Sequence, residues 1–321
     1  AALIEEFPAE KDGIKYLFWL FAKVHEALGV FQELGLEGAL AKYQAEEPEL
    51  MPTFLKMLNA TLSEVLLDHI EDPKLFAILS QLTSYIGEPP DEMSALNYIV
   101  MWNSYHMFGF YNFVGGSESV TRAIGEVIEE KGGLIRTGTL ATKIVIEDGR
   151  AIEVQTDRDV YYRPRYVVSN ANAPATMEMI GRENLPADYL ADMDAMEVAM
   201  PVVSMYLGVA HDYVPLFDNS HEILLQDSFD TSYVFQNMRG CDPGAEGLLL
   251  IANYSAIDPT AAPAGKNVIS ITSALDDACN NDWGWGDPAA FLAHKKAVAD
   301  AYLTRAEAVL PGLRSHVEVL E

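Results

Sequence analysis

Tyr111-Asn-Phe-Val-Gly-Gly-Ser-Glu-Ser-Val-Thr-Arg-Ala-Ile124, followed by Gly132-Gly133 and by Tyr166-Val-Val-Ser-Asn-Ala171, decides how this chain is read. A glycine pair opens a helix expected over Glu118–Lys131, with Val120, Ile124, Val127 and Ile128 on one face. The second glycine pair is a helix stop. Asp148-Gly149 lies between Thr142–Glu147 and Arg150–Gln155, the strongest short signal for a β-hairpin. Val160–Ser169 is expected to add a strand, with Pro164 marking an edge or an irregular start. Glycine pairs sit where backbone must approach a neighbour or a ligand. Amide N–H groups at Gly115, Gly116 and Ser117 are therefore candidates to meet an anionic cofactor edge; the plain alternative is a turn before a helix.

N-terminal to this stretch, apolar residues recur at helical spacing. Leu17, Leu20, Phe21, Val24 and Leu28 mark one helix, and Phe54, Leu58, Leu62, Val65 and Leu66 mark another within Leu50–Ile70. Asp72-Pro73 starts a third, Gly87-Glu-Pro-Pro90 breaks it, and a further helix is expected from Met93 to Phe108. C-terminal to it, Val202–Val209, Glu222–Gln226, Gly247–Tyr254 and Asn267–Ser273 read as strands. A helix over Pro288–Leu310 and a strand at Val317–Leu320 follow. The expected organisation is a helical cap (1–110), an α/β piece (111–180), and an antiparallel sheet with a helix (181–321).

Half of the 321 residues are hydrophobic and 21% are charged, which supports a folded core rather than disorder. Lys and Arg number 21 against 48 Asp and Glu, a formal net charge of -27. Such a surface repels phosphate backbones and anionic lipid, so nucleic acid is not an expected partner. Cys241 and Cys279 lie far apart without Cys-x-x-Cys spacing, and the histidines show no metal-ligand spacing; no disulfide framework and no metal site are expected. A reducing cytoplasm is the expected compartment. The run Tyr16–Phe31 is broken by Lys23, His25 and Glu26 and is too short to span a bilayer, so membrane contact is expected to be peripheral at most. The opening, Ala1 to Pro8, lacks an initiator Met and reads as an internal piece of a longer chain.

Met93–Ser117 carries no Asp, Glu, Lys or Arg but holds many aromatic residues. Trp102, Tyr105, His106, Phe108 and Tyr111 either form helix core or line an apolar tunnel, with Asn103, His106 and Asn112 as its few polar groups. There is no Gly-x-Ser-x-Gly, His-Glu-x-x-His, Walker loop or Gly-x-Gly-x-x-Gly, and no catalytic acid or base is assigned.

An ordered set of segments resembles the phytoene desaturase, carotenoid isomerase and retinol saturase family of FAD-dependent oxidoreductases. They are Asp72-Pro-Lys-Leu-Phe-Ala-Ile-Leu79, Tyr85-Ile-Gly-Glu-Pro-Pro90, Gly109-Phe-Tyr-Asn-Phe-Val-Gly-Gly-Ser117, Gly132-Gly-Leu-Ile-Arg136, Glu147-Asp-Gly-Arg-Ala151, Val167-Val-Ser-Asn-Ala-Asn172, Asp258-Pro-Thr-Ala-Ala-Pro-Ala-Gly-Lys266 and Arg305-Ala-Glu-Ala-Val-Leu-Pro-Gly-Leu313. The resemblance implies an α/β fold, α+β within these residues: part of a three-layer FAD-binding domain plus a substrate domain with an antiparallel or mixed sheet and a helical cap. It also implies cofactor contacts at Ala141 and at Ser169, Asn170 and Ala171, with NAD(P) a candidate redox partner for FAD. The dinucleotide fingerprint and the closing flavin segment of that family are not among these residues, which predicts weak FAD binding and no activity for residues 1–321 alone.

The function expected from the resemblance is FAD-dependent redox chemistry at C–C bonds of an apolar polyene or isoprenoid, by desaturation, saturation or redox-assisted isomerisation. Two alternatives stand beside it. One is a non-catalytic apolar-ligand carrier or interaction protein. The other is a flavin amine oxidase relative, against which the Asp258–Lys266 segment argues.

Overall fold

The computed structural model describes residues 1–196, 200–218, 220–240, 242, 244–274 and 283–321; Cys241 and Cys279 lie outside the described residues. In chain order the helices are α1 (Ala2–Glu6), α2 (Lys11–Glu46), α3 (Met51–Met57), α4 (Leu62–Leu67), α5 (Pro73–Ser80), α6 (Ala95–Phe108) and α7 (Ser117–Glu130). The hairpin strands β1 (Ala141–Glu147) and β2 (Arg150–Thr156) follow, then a two-residue β3 (Tyr161–Tyr162), α8 (Ala173–Ile180) and α9 (Ala187–Asp194). Last come β4 (Val202–Val209), β5 (Glu222–Gln226), α10 (Thr231–Met238), β6 (Leu248–Asn253), β7 (Asn267–Ala274), α11 (Pro288–Ala306), α12 (Leu313–His316) and β8 (Val317–Leu320). This is the mixed helix and antiparallel-sheet architecture expected from the sequence.

Two compact units result: Ala1–Gly116 together with Ala199–Glu321, and Ser117–Val198. The sequence places its boundaries at 110/111 and 180/181 instead, with the helical cap and the C-terminal sheet both assigned to a substrate domain. They form one unit because the chain returns: Arg239 donates two hydrogen bonds to the Glu92 carboxylate, and the Tyr85 hydroxyl donates to Glu222.

In the larger unit, α2 buries Leu17, Leu20, Phe21 and Val24 against Leu62, Val65 and Leu66 of α4, Leu75 and Leu79 of α5, and Tyr98, Ile99 and Trp102 of α6. Gly13 is required there, since an added Cβ would lie 1.9 Å from the carbonyl oxygen of His69. The expected Leu50–Ile70 helix is two helices. Between them Ala60 turns its carbonyl to the N–H of Ala95, and Thr61 caps α4 in a reciprocal box with Glu64.

The sheet of the larger unit has the order β5-β6-β7-β4-β8, antiparallel throughout. Met205, Leu207 and Val209 alternate inward along β4 and pack with Leu249, Ile251, Ile269 and Ile271. That face is covered by Val298, Tyr302, Leu303 and Ala306 of α11. Val234 and Met238 of α10 cluster with Leu248 and Ala274. β6 and β7 are buried along nearly their whole length; β6 carries the continuous apolar run Leu248–Ala252, while β7 alternates and buries Asn267, Ser270 and Ser273 as well.

In the smaller unit, β1 and β2 pair around Asp148-Gly149 as the sequence requires. The expected strand Val160–Ser169 shortens to Tyr161–Tyr162, which pairs with Gln155 and Val154. Pro164 has no N–H to continue the ladder. Burial in this unit centres on Ile144, Thr156 and Met177, while Ile124 and Val127 of α7 and Leu134, Tyr166 and Val168 are exposed.

Candidate functional site

The glycine pair that opens the sequence reading is positioned by a carboxylate far along the chain. Gly115 and Gly116 both have positive φ, 81° and 73°, a region open to Gly and costly for other residues. Gly115 donates its N–H to Asp258 Oδ2 at 2.9 Å, and Gly116 donates to the Phe113 carbonyl at 2.9 Å. Asp258 is 7% exposed, and its Oδ1 accepts the N–H and the hydroxyl of Thr260 at 2.9 Å and 2.6 Å. The Thr260 hydroxyl, then the Thr260 and Gly115 N–H groups, hold the Asp258 carboxyl below its ordinary value, against the effect of burial. This corrects the expectation that the Gly115 and Gly116 N–H groups await an anion. Both are engaged, and one already faces a negative charge.

The aromatic stretch divides in a way that neither a tunnel nor a plain core describes. Trp102 is 7% exposed and meets Phe18 and Phe21 edge-on at 4.9 Å and 5.2 Å between ring centres. His106 lies 3.8 Å from Trp102 but is exposed. Tyr105 stacks on Phe110 at 4.4 Å and approaches Tyr85, whose hydroxyl donates to Glu222. Burial, then the Glu222 carboxylate, pushes the Tyr85 phenol far up, so it stays protonated and a donor. Phe108 and Tyr111 are 63% and 90% exposed. The cause is local: α6 ends at Gly109, with φ 76°, and the chain beyond it leaves the helical layer. Asn103, expected as a polar group in the tunnel, is buried with its side-chain amide donating to the Phe21 carbonyl.

An apolar cavity lies elsewhere in the helical layer. It measures about 230 Å³ and is walled by Val24, Phe31, Leu36, Leu40, Met51 and Leu58, among others, with Leu96 of α6 also lining it. Its lining residues are separated in sequence and meet only after α2 folds back on itself, so no local signal reports it.

In the smaller unit, Ala141 begins β1 opposite Thr156, and Ser169, Asn170 and Ala171 are exposed irregular backbone running into α8. Asn172 caps that helix by accepting the Ala175 N–H at 2.8 Å. The Ser169 and Thr176 hydroxyls are 2.7 Å apart, which fixes the segment from one side. The α7 helix starts at Ser117, also exposed. Ala141 is half-buried, and Ser169, Asn170 and Ala171 are exposed. Among the described residues no cluster of three His, Cys, Asp or Glu could hold a metal ion, and no helix is long and apolar enough to cross a membrane.

Comparison with known proteins bears on this arrangement. Prolycopene isomerase 1, chloroplastic, of an Oncidium hybrid cultivar is 22% identical over 326 residues, covering 99% of this chain and 53% of that protein. The 4,4'-diapophytoene desaturase (4,4'-diapolycopene-forming) of Methylomonas sp is 26% identical over 242 residues, 74% of this chain and 44% of its own. The chain is a homologue of the carotenoid desaturases and isomerases. It spans about half the length of the curated relatives it matches. The fold is shared with an oxidoreductase from Methanosarcina mazei, with a TM-score of 0.59 at 20% identity over 87% of this chain and 60% of that one. No family model matches the sequence.

Proposed function

We propose that the protein is an FAD-dependent oxidoreductase acting on C–C bonds of an apolar polyene of the carotenoid type. The observation that carries this reading is the alignment with prolycopene isomerase along 99% of the chain. The apolar lining of the cavity in the helical layer agrees with such a substrate. Bound FAD would supply hydride acceptance or donation at a C–C bond; the hard chemistry is the cofactor's.

The chain's own contribution is positioning. Ala141 and the Ser169–Ala171 backbone are the residues that would hold the cofactor, with Ser117 at the start of α7 a further candidate. Gly115 and Gly116 serve by fixing the loop rather than by donating to phosphate, because Asp258 and Phe113 take their N–H groups. Of the expected set, Tyr105, His106, Phe108 and Tyr111 remain the proposed substrate-facing residues, with Trp102 supporting them from within the core. Access to an apolar substrate would involve peripheral membrane contact that does not grow with anionic lipid, given the net charge of -27.

The test is the protein expressed from its full reading frame. A flavin absorbance spectrum and FAD released on denaturation are expected. A colourless protein that takes up no added FAD removes the enzyme reading. The helical-layer cavity, which needs no cofactor to form, then favours a carrier of apolar ligands.

A further inference from the structure

Helix α2 is a hairpin. At Gly35 φ is 71° and ψ is 176°, a region open essentially to Gly, and the helix reverses there. The two arms, 11–34 and 36–46, return side by side: Lys23 on the first arm donates to the Glu47 carboxylate, just past the second, at 3.0 Å. An unbroken helix would hold residues 23 and 47 about 36 Å apart. The cavity of about 230 Å³ opens between these arms and α3.

Its wall is hydrocarbon and thioether throughout. Val24, Ala39, Tyr43 and Met57 are buried at its base; Tyr43 contributes its ring, with the hydroxyl covered. Its mouth is ringed by Phe31, Leu36, Leu55 and Leu58, which are 44–55% exposed. An apolar cavity of this kind holds water poorly and takes apolar guests. Its volume is below the roughly 300–1,000 Å³ that encloses a whole drug-sized ligand, so it receives one end of a longer molecule.

Charge narrows the class further. Glu26, Glu33, Glu37 and Glu46 are exposed on the hairpin and outnumber the half-buried Lys42 of its second arm. Lys23 is paired with Glu26 and Glu47, and Lys56 with Asp68. A carboxylate or diphosphate head arriving at the mouth meets like charge. We infer that the Gly35 hairpin encloses a binding pocket for the uncharged hydrocarbon end of an isoprenoid or alkyl chain.

This inference concerns binding alone and stands whether or not the protein uses a flavin. The test titrates the protein with diphenylhexatriene, a neutral rod that fluoresces in apolar surroundings. Saturable uptake is expected, with displacement by farnesene or tetradecane and at least tenfold weaker displacement by farnesyl diphosphate or palmitate. Displacement by farnesene alone identifies an isoprenoid end, and by tetradecane as well an alkyl end. Leu55→Glu and Leu58→Glu, at exposed rim positions that tolerate a charge in folding, each weaken uptake at least tenfold. Leu67→Glu, 61% exposed on α4 and away from the cavity, leaves it unchanged. Equal uptake by the rim variants and the Leu67 variant overturns the inference, as does equal competition by neutral and anionic chains, or no displacement by either hydrocarbon.

Discussion

Asp258 Oδ2 accepts the backbone N–H of Gly115 across 143 residues of chain, at 2.9 Å, and so pins the glycine loop to the turn that follows β6. The carboxylate receives three donors on two oxygens: Gly115 N–H on one, Thr260 N–H and hydroxyl on the other. An amide supplies one accepting oxygen and one N–H₂ group, so either orientation of an Asn sets a donor against a donor. Asp258→Asn is therefore expected to behave like Asp258→Ala rather than like the wild type. Both lower Tm by about 2–4 °C, the shift of a lost kcal-scale contact in a protein of this size. The folded carboxyl titrates below its ordinary value. Its contribution is thus present above the unfolded pKa, near 3.9, and disappears as pH falls through the depressed folded value. Thermal melts of the three proteins at pH 7 and pH 3 check this; an Asn variant as stable as wild type at pH 7 contradicts it.

Gly35 and Gly29 lie six positions apart on α2 and should respond oppositely to Ala. At Gly35 the backbone sits where a Cβ is strained, although nothing else crowds it. Gly35→Ala costs about 1–3 kcal/mol and opens the hairpin. Gly29 is helical with open space around it. Gly29→Ala stabilises by about 0.5–1 kcal/mol through the gain in helix propensity. Denaturant unfolding of the two variants reads the sign directly. A neutral Gly35→Ala would mean that the fold does not depend on the reversal there.

Sequence legibility follows how local each determinant is. The β1–β2 hairpin is set by Asp148-Gly149 alone, and β4, β5 and β8 by alternation or short apolar runs. The break between α3 and α4 leaves a cap signature, Thr61 to Glu64, inside an otherwise periodic stretch, and the periodicity hides it. Gly35 is one glycine among several in a helical pattern; only the return of Glu47 to Lys23 distinguishes a reversal from a tolerated residue. The same applies to the site. Two adjacent glycines before a helix have the form of an anion loop, and their true acceptor is fixed by tertiary structure. The cavity is legible at no point in the chain, since its walls come from α2, α3 and α6 together.

The Glu92–Arg239 pair joins the helical layer to α10 with two hydrogen bonds, at 2.7 Å and 3.1 Å. Arg239 holds the Glu92 carboxyl below its ordinary value, and slight burial opposes it. Stability from this pair is present above the unfolded Glu pKa, near 4.3, and lost as pH falls through the depressed one. Both side chains are about half exposed, at 52% and 44%, so screening limits the effect. Glu92→Gln should cost at most about 0.5 kcal/mol at low salt and nothing measurable at 1 M salt. A penalty that survives 1 M salt would indicate a buried role that the geometry does not support.

Trp102 and Phe108 separate packing from ligand contact within one helix. Trp102 is closed in by Phe18, Phe21 and His106, so Trp102→Ala removes a large buried ring and costs about 3–5 kcal/mol. Phe108 is 63% exposed, with the ring of His25 its nearest aromatic neighbour at 6.5 Å. Phe108→Asp should therefore fold with stability within about 0.5 kcal/mol of wild type. If Phe108 faces the substrate, that folded variant loses polyene turnover, because an apolar chain would have to desolvate a carboxylate to bind. Trp102→Ala, in contrast, lowers turnover only in proportion to its unfolded fraction. Unfolding curves and polyene turnover measured on the same preparations distinguish the two effects. Normal turnover by a folded Phe108→Asp variant would remove Phe108 from the substrate path and leave α6 a structural helix.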